Sequence, residues 1–376
     1  MLLLFLAVFT TTACSQRRGG SPSDSGDASD TGEDGSQTSA VDARTANWPV
    51  EAGKYTILGI LTDNKDHTRA KGNAEDTLAN HPDVKCMVGL WAYNPPAIHS
   101  AVKGAGKEGE IAIIAFDEHR DTLQAIADGE IYGTIVQQPF LFGYRSVEFL
   151  SALARKHDVD IPESGKIYVP HTVIKQDNVG DFRQKVEAML SGNGQPPEHA
   201  REYDTTQPVK VAFITNSVDP FWTLAEKGCQ LAAPAFNAEC QVLMPPNGQV
   251  EEQKRYIEEL IASQCQGLAI SPIDPANQVD IINQACNIMP VIAQDSDAPD
   301  TNRLFYLGTS NYLAGRAAGK LVKEAVPDGG KVMIFVGKME VINAQERSQG
   351  VIDELLDAPI PEEFADQMDS TSSSEE

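Results

Sequence analysis

Positive charge is scarce in this chain of 376 residues. Lys and Arg number 30 against 54 Asp and Glu, a formal net charge of −24 with a pI near 4.6. Contact with a phosphate backbone requires clustered Lys and Arg, so nucleic acid is excluded as the expected partner. Long apolar runs are scarce too. The run at residues 2–13 is shorter than the roughly 20 residues a membrane-spanning helix takes. The hydrophobic fraction of 41% is that of a soluble globular protein and falls below what a polytopic membrane protein needs. Cysteines number six, and setting Cys14 aside leaves Cys86, Cys229, Cys240, Cys265 and Cys286, an odd set and no disulfide framework. Cys265 and Cys286 each shortly precede an expected strand, where they either meet at the lower edge of a sheet or remain buried thiols. Catalytic signatures are missing as well: there is no nucleophile elbow, no metal-ligand helix and no phosphate loop. The run "GAGKEG" has neither the spacing nor the Ser or Thr of a P-loop. The seven histidines are scattered, and only His119 stands near the candidate site described below. These absences argue against an enzyme and imply neither cofactor nor metal.

The chain itself divides by composition. Residues 1–14, ending in "TTAC", look like a secretory signal of the lipoprotein kind with Cys14 as the lipid-attachment residue. They depart from that pattern at Thr11, where Leu is usual, and no basic residue precedes the apolar run; the other reading is an apolar terminus with an ordinary cysteine. Residues 15–53, rich in Ser, Gly, Asp and Thr over most of their length, have too little apolar surface to order themselves and are expected to be a tether. Residues 358–376 form an acidic tail of the same character. Between Leu190 and Pro208 the run "SGNGQPPEHAREYDTTQ" lacks periodicity, and 191–207 reads as a linker.

On either side of that linker, short apolar runs alternate with helical patterns. The first half gives strands at Tyr55–Leu61, Lys85–Leu90, Ile111–Phe116, Tyr132–Gln137 and Ile167–Ile174. The second gives Val209–Thr215, Cys240–Leu243, Gly267–Ser271, Pro290–Gln294, Leu304–Gly308 and Lys331–Val336. A helix over Val250–Ala262 places Val250, Ile257, Leu260 and Ile261 on one face. Regular βα alternation predicts parallel sheets flanked by helices, and a chain of this length is sized for about two domains.

In such folds ligands bind outside the carboxyl edge of the strands. The polar and aromatic residues just past the expected strands are Asn94, Asp117, Gln137, Asp219, Phe221, Ser271, Asp274, Asp295 and Thr309, with Trp222 and Trp91 close by. Asp, Asn, Gln and Arg can bond two adjacent hydroxyls at once, and flat aromatic rings suit the apolar side of a sugar. Each has an ordinary alternative. Asp219 is equally placed to cap the helix opening at Pro220, Phe221 and Trp222 to fill the core, and Arg347 to sit on a solvated helix face. Asn94 is a plausible helix cap with prolines just inside.

Several of these runs carry a resemblance. "VDPFW", "AISPID", "VIAQDSDAP", "GTSNYLAGRAAG" and "NAQERSQG", within residues 208–357, resemble in order the first half of the sugar-binding periplasmic binding proteins of the ribose/galactose type. "AEDTLANHPDV", "IAIIAFDE" and "ADGEIYGTIVQQP", within residues 54–190, resemble that family's second half. The resemblance implies a type I periplasmic binding protein fold, circularly permuted: two doubly wound parallel-sheet lobes with a ligand cleft between them. One lobe would be 54–137 plus 311–357, the other 138–190 plus 208–310. It further implies that Asp219, Phe221, Trp222, Asp295, Arg347, Asn94, Asp117, Gln137 and Thr309 hold the ligand. The chain departs from many members at Ser296, where arginine follows the strand-end aspartate. The implied function is that of an exported protein, periplasmic or tethered to the cell envelope and monomeric. It would capture a small sugar and deliver it to an ABC-type permease, or alternatively present it to a membrane receptor as a sensor. A repressor sharing this fold would need a basic helix-turn-helix ahead of the core, and residues 1–53 offer none.

Overall fold

A computed structural model describes residues 41–197, 202 and 204–367. The expected signal segment, Cys14 and residues 15–40 of the expected tether lie outside the described residues. Thirteen strands are described: β1 (Val50–Ala52), β2 (Tyr55–Thr62), β3 (Val84–Gly89), β4 (Ala112–Phe116), β5 (Gly133–Val136), β6 (Lys166–Tyr168), β7 (Thr172–Lys175), β8 (Val209–Ile214), β9 (Ala238–Leu243), β10 (Leu268–Ile270), β11 (Val291–Gln294), β12 (Tyr306–Gly308) and β13 (Gly330–Val336). Ten α-helices accompany them: α1 (His67–Asn80), α2 (Asn94–Gly104), α3 (Arg120–Ala127), α4 (Pro139–Ala154), α5 (Val179–Leu190), α6 (Pro220–Ala235), α7 (Val250–Ala262), α8 (Val279–Cys286), α9 (Asn311–Ala325) and α10 (Ile342–Leu355).

The strands form two sheets, each the centre of a lobe. The first has the order β1-β2-β13-β3-β4-β5-β7, the second β6-β12-β11-β10-β8-β9. The second sheet is parallel throughout; the first is parallel except at its two edges, where β1 pairs with β2 and β7 with β5 in antiparallel sense. Buried on both faces, the central strands are nearly continuous hydrophobic runs such as "AIIAF" and "VKVAFI". Helices α9 and α10 cover one face of the first sheet, and α1, α2 and α3 the other. In the second lobe α4 and α6 cover one face, α7 and α8 the opposite one.

Strand β13 lies between β2 and β3, pairing Gly330 with Tyr55 and Phe335 with both Leu61 and Gly89. Strand β8 is interior to the second sheet, between β10 and β9. Strand β6, from the first half of the chain, pairs with β12 of the second. Each lobe is therefore assembled from both halves of the chain. Three connections cross between lobes: Gln137–Gln138 from β5 to α4, Val169–His171 from β6 to β7, and Thr309–Ser310 from β12 to α9.

Four boundaries differ from the sequence reading. The expected strand Ile167–Ile174 is two strands in different sheets. Pro170 offers no N–H to a ladder, so pairing stops there and the chain crosses to the other lobe. Thr172–Lys175 therefore belongs to the first sheet rather than to the lobe containing 138–168, and α5 follows it, packing on α3. Residues 41–53 are not tether. β1 extends the first sheet, Ala43 is buried, and the Gln349 side chain accepts from the Ala43 N–H and donates to the Val41 carbonyl. The expected tail begins with a short 3-10 turn, Glu362–Gln367, and Phe364 stacks on Tyr312 at 4.7 Å; residues 368–376 lie outside the described residues. The five cysteines from Cys86 to Cys286 are all free thiols, so Cys265 and Cys286 do not pair.

Candidate functional site

The carboxyl edges of the two sheets face one cleft, and two aspartates hold matching positions in it. Asp117 follows β4 and Asp295 follows β11; their φ angles are +64° and +59°. Asp is one of the few residues that adopt this left-handed conformation at modest cost. The turn carries each carboxylate out of the strand direction. Both side chains are buried. Asp117 accepts a hydrogen bond from Gln137 Nε2 at 2.9 Å, and Asp295 one from Ser271 Oγ at 3.2 Å.

Arg347 completes the centre. Far from the solvated helix face that its sequence position allowed, it is 2% exposed. Its Nε donates to Asn311 Oδ1 (2.9 Å) and its Nη1 to the Leu90 carbonyl (3.0 Å), while the guanidinium lies 4.1 Å from the centroid of the Phe116 ring. Asp117 Oδ2 is 4.0 Å from Nη1. A close crossing of α9 and α10 fixes this placement. A Cβ on Gly315 would come within 2.2 Å of the Arg347 carbonyl oxygen, so only glycine lets the helices approach this far.

Burial raises the Asp295 carboxyl to about 6, with Asp117 pushing the same way and Arg347 opposing. Asp117 is also raised, chiefly by burial and against the pull of Arg347 and the Gln137 hydrogen bond. Two buried acidic groups thus stand close enough to raise one another's proton affinity, which favours their protonated forms.

The remaining expected residues divide. Gln137 and Thr309 are buried at two of the three lobe crossings. Thr309, with Asp295 and Asn343, lines a cavity of about 110 Å³. Asp219 caps α6, its carboxylate accepting from the Phe221 N–H at 2.9 Å, and remains exposed on the cleft side. Phe221 is half-buried, edge-on to Trp222 and Phe142. Trp222 is 2% exposed; its ring packs against Phe213 in the second lobe's core and its N–H donates to Asn216 Oδ1. Asn94 does not cap its helix, a position Tyr93 holds. Its Nδ2 donates to Asp63 Oδ2 (2.8 Å) and its Oδ1 accepts from the Trp91 N–H (3.1 Å), an arrangement that fixes the loop after β3. His119 caps α3 through the Asp121 N–H.

Two residues were missed from sequence. Lys65 is exposed in the turn after β2; partial desolvation and then Lys338 lower its pKa, and Asp295 and Asp219 oppose them. Its ammonium lies 5.6 Å from the Trp91 ring centroid. Glu118, next to Asp117, has both carboxylate oxygens buried without a hydrogen-bond partner. The signal for both was position, since each lies directly past a strand end. Trp91 itself is held where only glycine fits behind it, a Cβ on Gly337 falling 1.9 Å from the ring. Its indole N–H, like the Thr309 hydroxyl, is buried and unpaired. A groove of about 680 Å³ opens between Gly248–Lys254 and Ile273–Asn277 on one lobe and Lys338–Ile342 on the other.

The two α/β lobes are joined by three crossings, and buried carboxylates, an arginine and unpaired donors lie past the carboxyl edges of their sheets. Residues 31–158 and 211–375 match the periplasmic binding protein domain, and the chain belongs to that family. Among curated proteins it is similar to the ribose import binding protein of Bacillus subtilis, 30% identical over 92 residues (24% of this chain, 29% of that one). It is also similar to the xylose/arabinose-binding protein of Sulfolobus acidocaldarius, 26% identical over 171 residues (42% and 40%). The chain spans less than half the length of the curated relatives it matches. Among solved structures, an ABC transporter solute-binding protein from Burkholderia graminis in complex with D-arabinose is 30% identical over 42% of this chain and 55% of that one, with a TM-score of 0.39.

Proposed function

We propose that this protein captures a small sugar between its lobes and delivers it to an ABC-type permease of the cell envelope. The observation that carries the reading is the pair of left-handed, buried strand-end aspartates, Asp117 and Asp295, facing each other from opposite lobes around Arg347. Carboxylates with few protein donors retain lone pairs for vicinal hydroxyls, and Arg347 supplies complementary donors. Trp91 and Phe221, both half-buried, bring aromatic surface to the same edge. The ribose and xylose/arabinose proteins named above support the substrate class. Export, and lipid attachment at Cys14, rest on the residues of the first 14 positions alone.

The transposed order of the two halves belongs to the same reading. Strand β13 inserted between β2 and β3, and β6 paired with β12, support an assembly in which the family's usual termini are joined through 191–207. Matches limited to under half of each curated relative are the pattern expected when one transposed half aligns at a time.

Because a ligand held by both lobes binds only the folded, closed state, it raises stability by about 2.7 kcal/mol at a hundredfold excess over its dissociation constant. A thermal-shift screen of pentoses, hexoses and their methyl glycosides tests the proposal, a clear rise with at least one sugar being expected. No shift with any sugar, against a clear one with an amino acid or a nucleoside, overturns it.

A further inference from the structure

The cavity of about 110 Å³ beside Asp295 shares two of its wall residues with the centre of the site. Asp295 is one. Asn311, whose Oδ1 accepts from Arg347 Nε at 2.9 Å, is the other. The rest of the lining includes Thr309 at the third lobe crossing, Tyr306 of β12, Ser296 next to Asp295, and Asn343 in the first turn of α10. Its shape is fixed by the protein itself. The Tyr306 hydroxyl donates to the carbonyls of Asp295 (3.0 Å) and Thr309 (3.2 Å), tying the strand-end aspartate to the crossing. A Cβ on Gly308 would fall 2.2 Å from that hydroxyl, so only glycine lets the tyrosine take this place.

Two of the lining residues carry a buried polar atom with no partner among the described residues. Thr309, 1% exposed, has an unbonded hydroxyl, and Asn343 Oδ1 is unbonded as well. Polar atoms left in that state are costly, so they are partners for a group that enters. A threonine hydroxyl both donates and accepts, and the Asn343 oxygen accepts; a single hydroxyl complements the two. The charges of the lining favour a neutral group. Arg303 donates to both carboxylate oxygens of Asp297, which leaves Lys166 set against Glu346 and the carboxyl of Asp295. An entering carboxylate would meet two acidic side chains, and an ammonium would meet Lys166. At ~30 Å³ for each water, the space holds only a few water-sized groups, which suits one exocyclic arm and not a second sugar ring.

We infer that this cavity is a subsite for the hydroxymethyl arm of a hexopyranose, with Thr309 and Asn343 binding the hydroxyl of that arm and selecting hexoses over pentoses and 6-deoxyhexoses. The inference rests on the sugar-binding reading above and narrows it. Asp295 and Asn311 belong to both places, so a ring bonded to Asp295 and Arg347 has the cavity at its edge. A pentopyranose has no atoms to place there and leaves Thr309 and Asn343 unpaired. A 6-deoxyhexose fills the space with a methyl group that can bond neither.

Calorimetric titration of the full chain at neutral pH provides the test, with sugars that share a ring and differ only in the arm. The series are galactose, D-fucose and L-arabinose; glucose, 6-deoxyglucose and xylose; and mannose, D-rhamnose and D-lyxose. In at least one series the hexose should bind at least about tenfold more tightly than both counterparts, because a site that bonds a hydroxyl rejects the analogue lacking it. The uronic acid and the 6-amino derivative of that hexose should each bind at least about tenfold more weakly than the hexose itself. These comparisons use the unaltered protein and do not depend on a variant folding. In Thr309→Val and in Asn343→Ala the lead of the hexose over its 6-deoxy counterpart should shrink to about threefold or less. Sugars that bind with no such lead in any series would overturn this inference and leave the sugar-binding reading standing. A uronic acid or 6-amino sugar that binds as tightly as the hexose would overturn the neutral arm. A lead that survives both substitutions would overturn the roles of Thr309 and Asn343. Absence of binding by all sugars would overturn the sugar-binding reading, and this inference with it.

Discussion

Asp117 and Asp295 do at the level of single residues what neither sheet does alone. Each ends a strand in a left-handed turn and presents a carboxylate to the cleft from its own lobe. Replacing either by alanine leaves ligand hydroxyls and the Gln137 or Ser271 donor unpaired, at about 1–3 kcal/mol per buried partner lost. Calorimetry on folded Asp117→Ala and Asp295→Ala should show severe loss of sugar affinity in both; wild-type affinity in both would mean that the cleft is elsewhere. The raised carboxyl of Asp295 also sets a sign for pH. An acid near 6 in the folded state and near 3.8 unfolded binds its proton more tightly when folded, so its contribution to ligand-free stability falls as pH rises from about 4 through 6. His171, pushed down to about 4 by burial, acts in the opposite sense over the interval between 6.5 and 4. The isolating measurement is thermal unfolding of wild type and Asp295→Asn from pH 4 to 7.5. The variant should lose the component that falls with rising pH, and identical profiles would refute the assignment.

At the scale of elements, the α9–α10 crossing is what delivers Arg347. Gly315 and Gly350 let the two helices touch backbone to backbone; a Cβ on Gly350 would lie 2.2 Å from the Tyr312 carbonyl oxygen. Gly315→Ala should therefore force the helices apart, destabilising the protein by about 1–3 kcal/mol. It should also weaken sugar binding by moving Arg347 away from Asn311 and Leu90. Chemical denaturation measures the first effect and titration of the variant the second; a stable Gly315→Ala with unchanged affinity would show that the crossing tolerates separation. The α4–α6 crossing in the other lobe has the same construction: a Cβ on Gly143 or Gly228 would fall 1.9 Å from a carbonyl oxygen of the facing helix. It holds no site residue of this kind, so alanine at Gly143 should cost stability with a smaller effect on binding.

For the whole molecule, the exchange of strands between halves makes a specific demand. Strands β1–β7 precede residues 191–207 and β8–β13 follow them, yet β6 belongs to the second sheet and β13 to the first. Cleavage at a protease site engineered into 191–207 should give two fragments that remain associated and still bind ligand. Fragments that separate and fold alone would refute the shared assembly. The three crossings at Gln137–Gln138, Val169–His171 and Thr309–Ser310 are where a hinge would act. Small-angle scattering should show the radius of gyration falling on addition of a saturating sugar.

The sequence by itself determined the alternation of strand and helix, the two-lobe α/β class and the strand-end positions of Asp117, Gln137, Asp219, Asp295 and Thr309. Apolar runs and turn residues are local, and the carboxyl edge of a parallel sheet follows from them. The strand Ile167–Ile174 shows where local signals stop. Both of its parts are apolar, and only the lobe each one packs against divides them at Pro170. Trp222 and Phe221 are neighbours of the same chemistry, yet one is fully buried and the other only half-buried at the rim of the same core, because the helix turns them about 100° apart. Residues 41–53 look unstructured in composition and are ordered by what they cover, Gln349 and the edge of β2. Arg347 could have been solvated or buried on its pattern alone, and the glycines of a neighbouring helix made it the centre of the site. Glu118 and Lys65 carry no local signal beyond position. The charges acting on Lys65, from Lys338, Asp295 and Asp219, lie more than 150 residues away in the chain, and electrostatic coupling depends on distance in space rather than along the sequence.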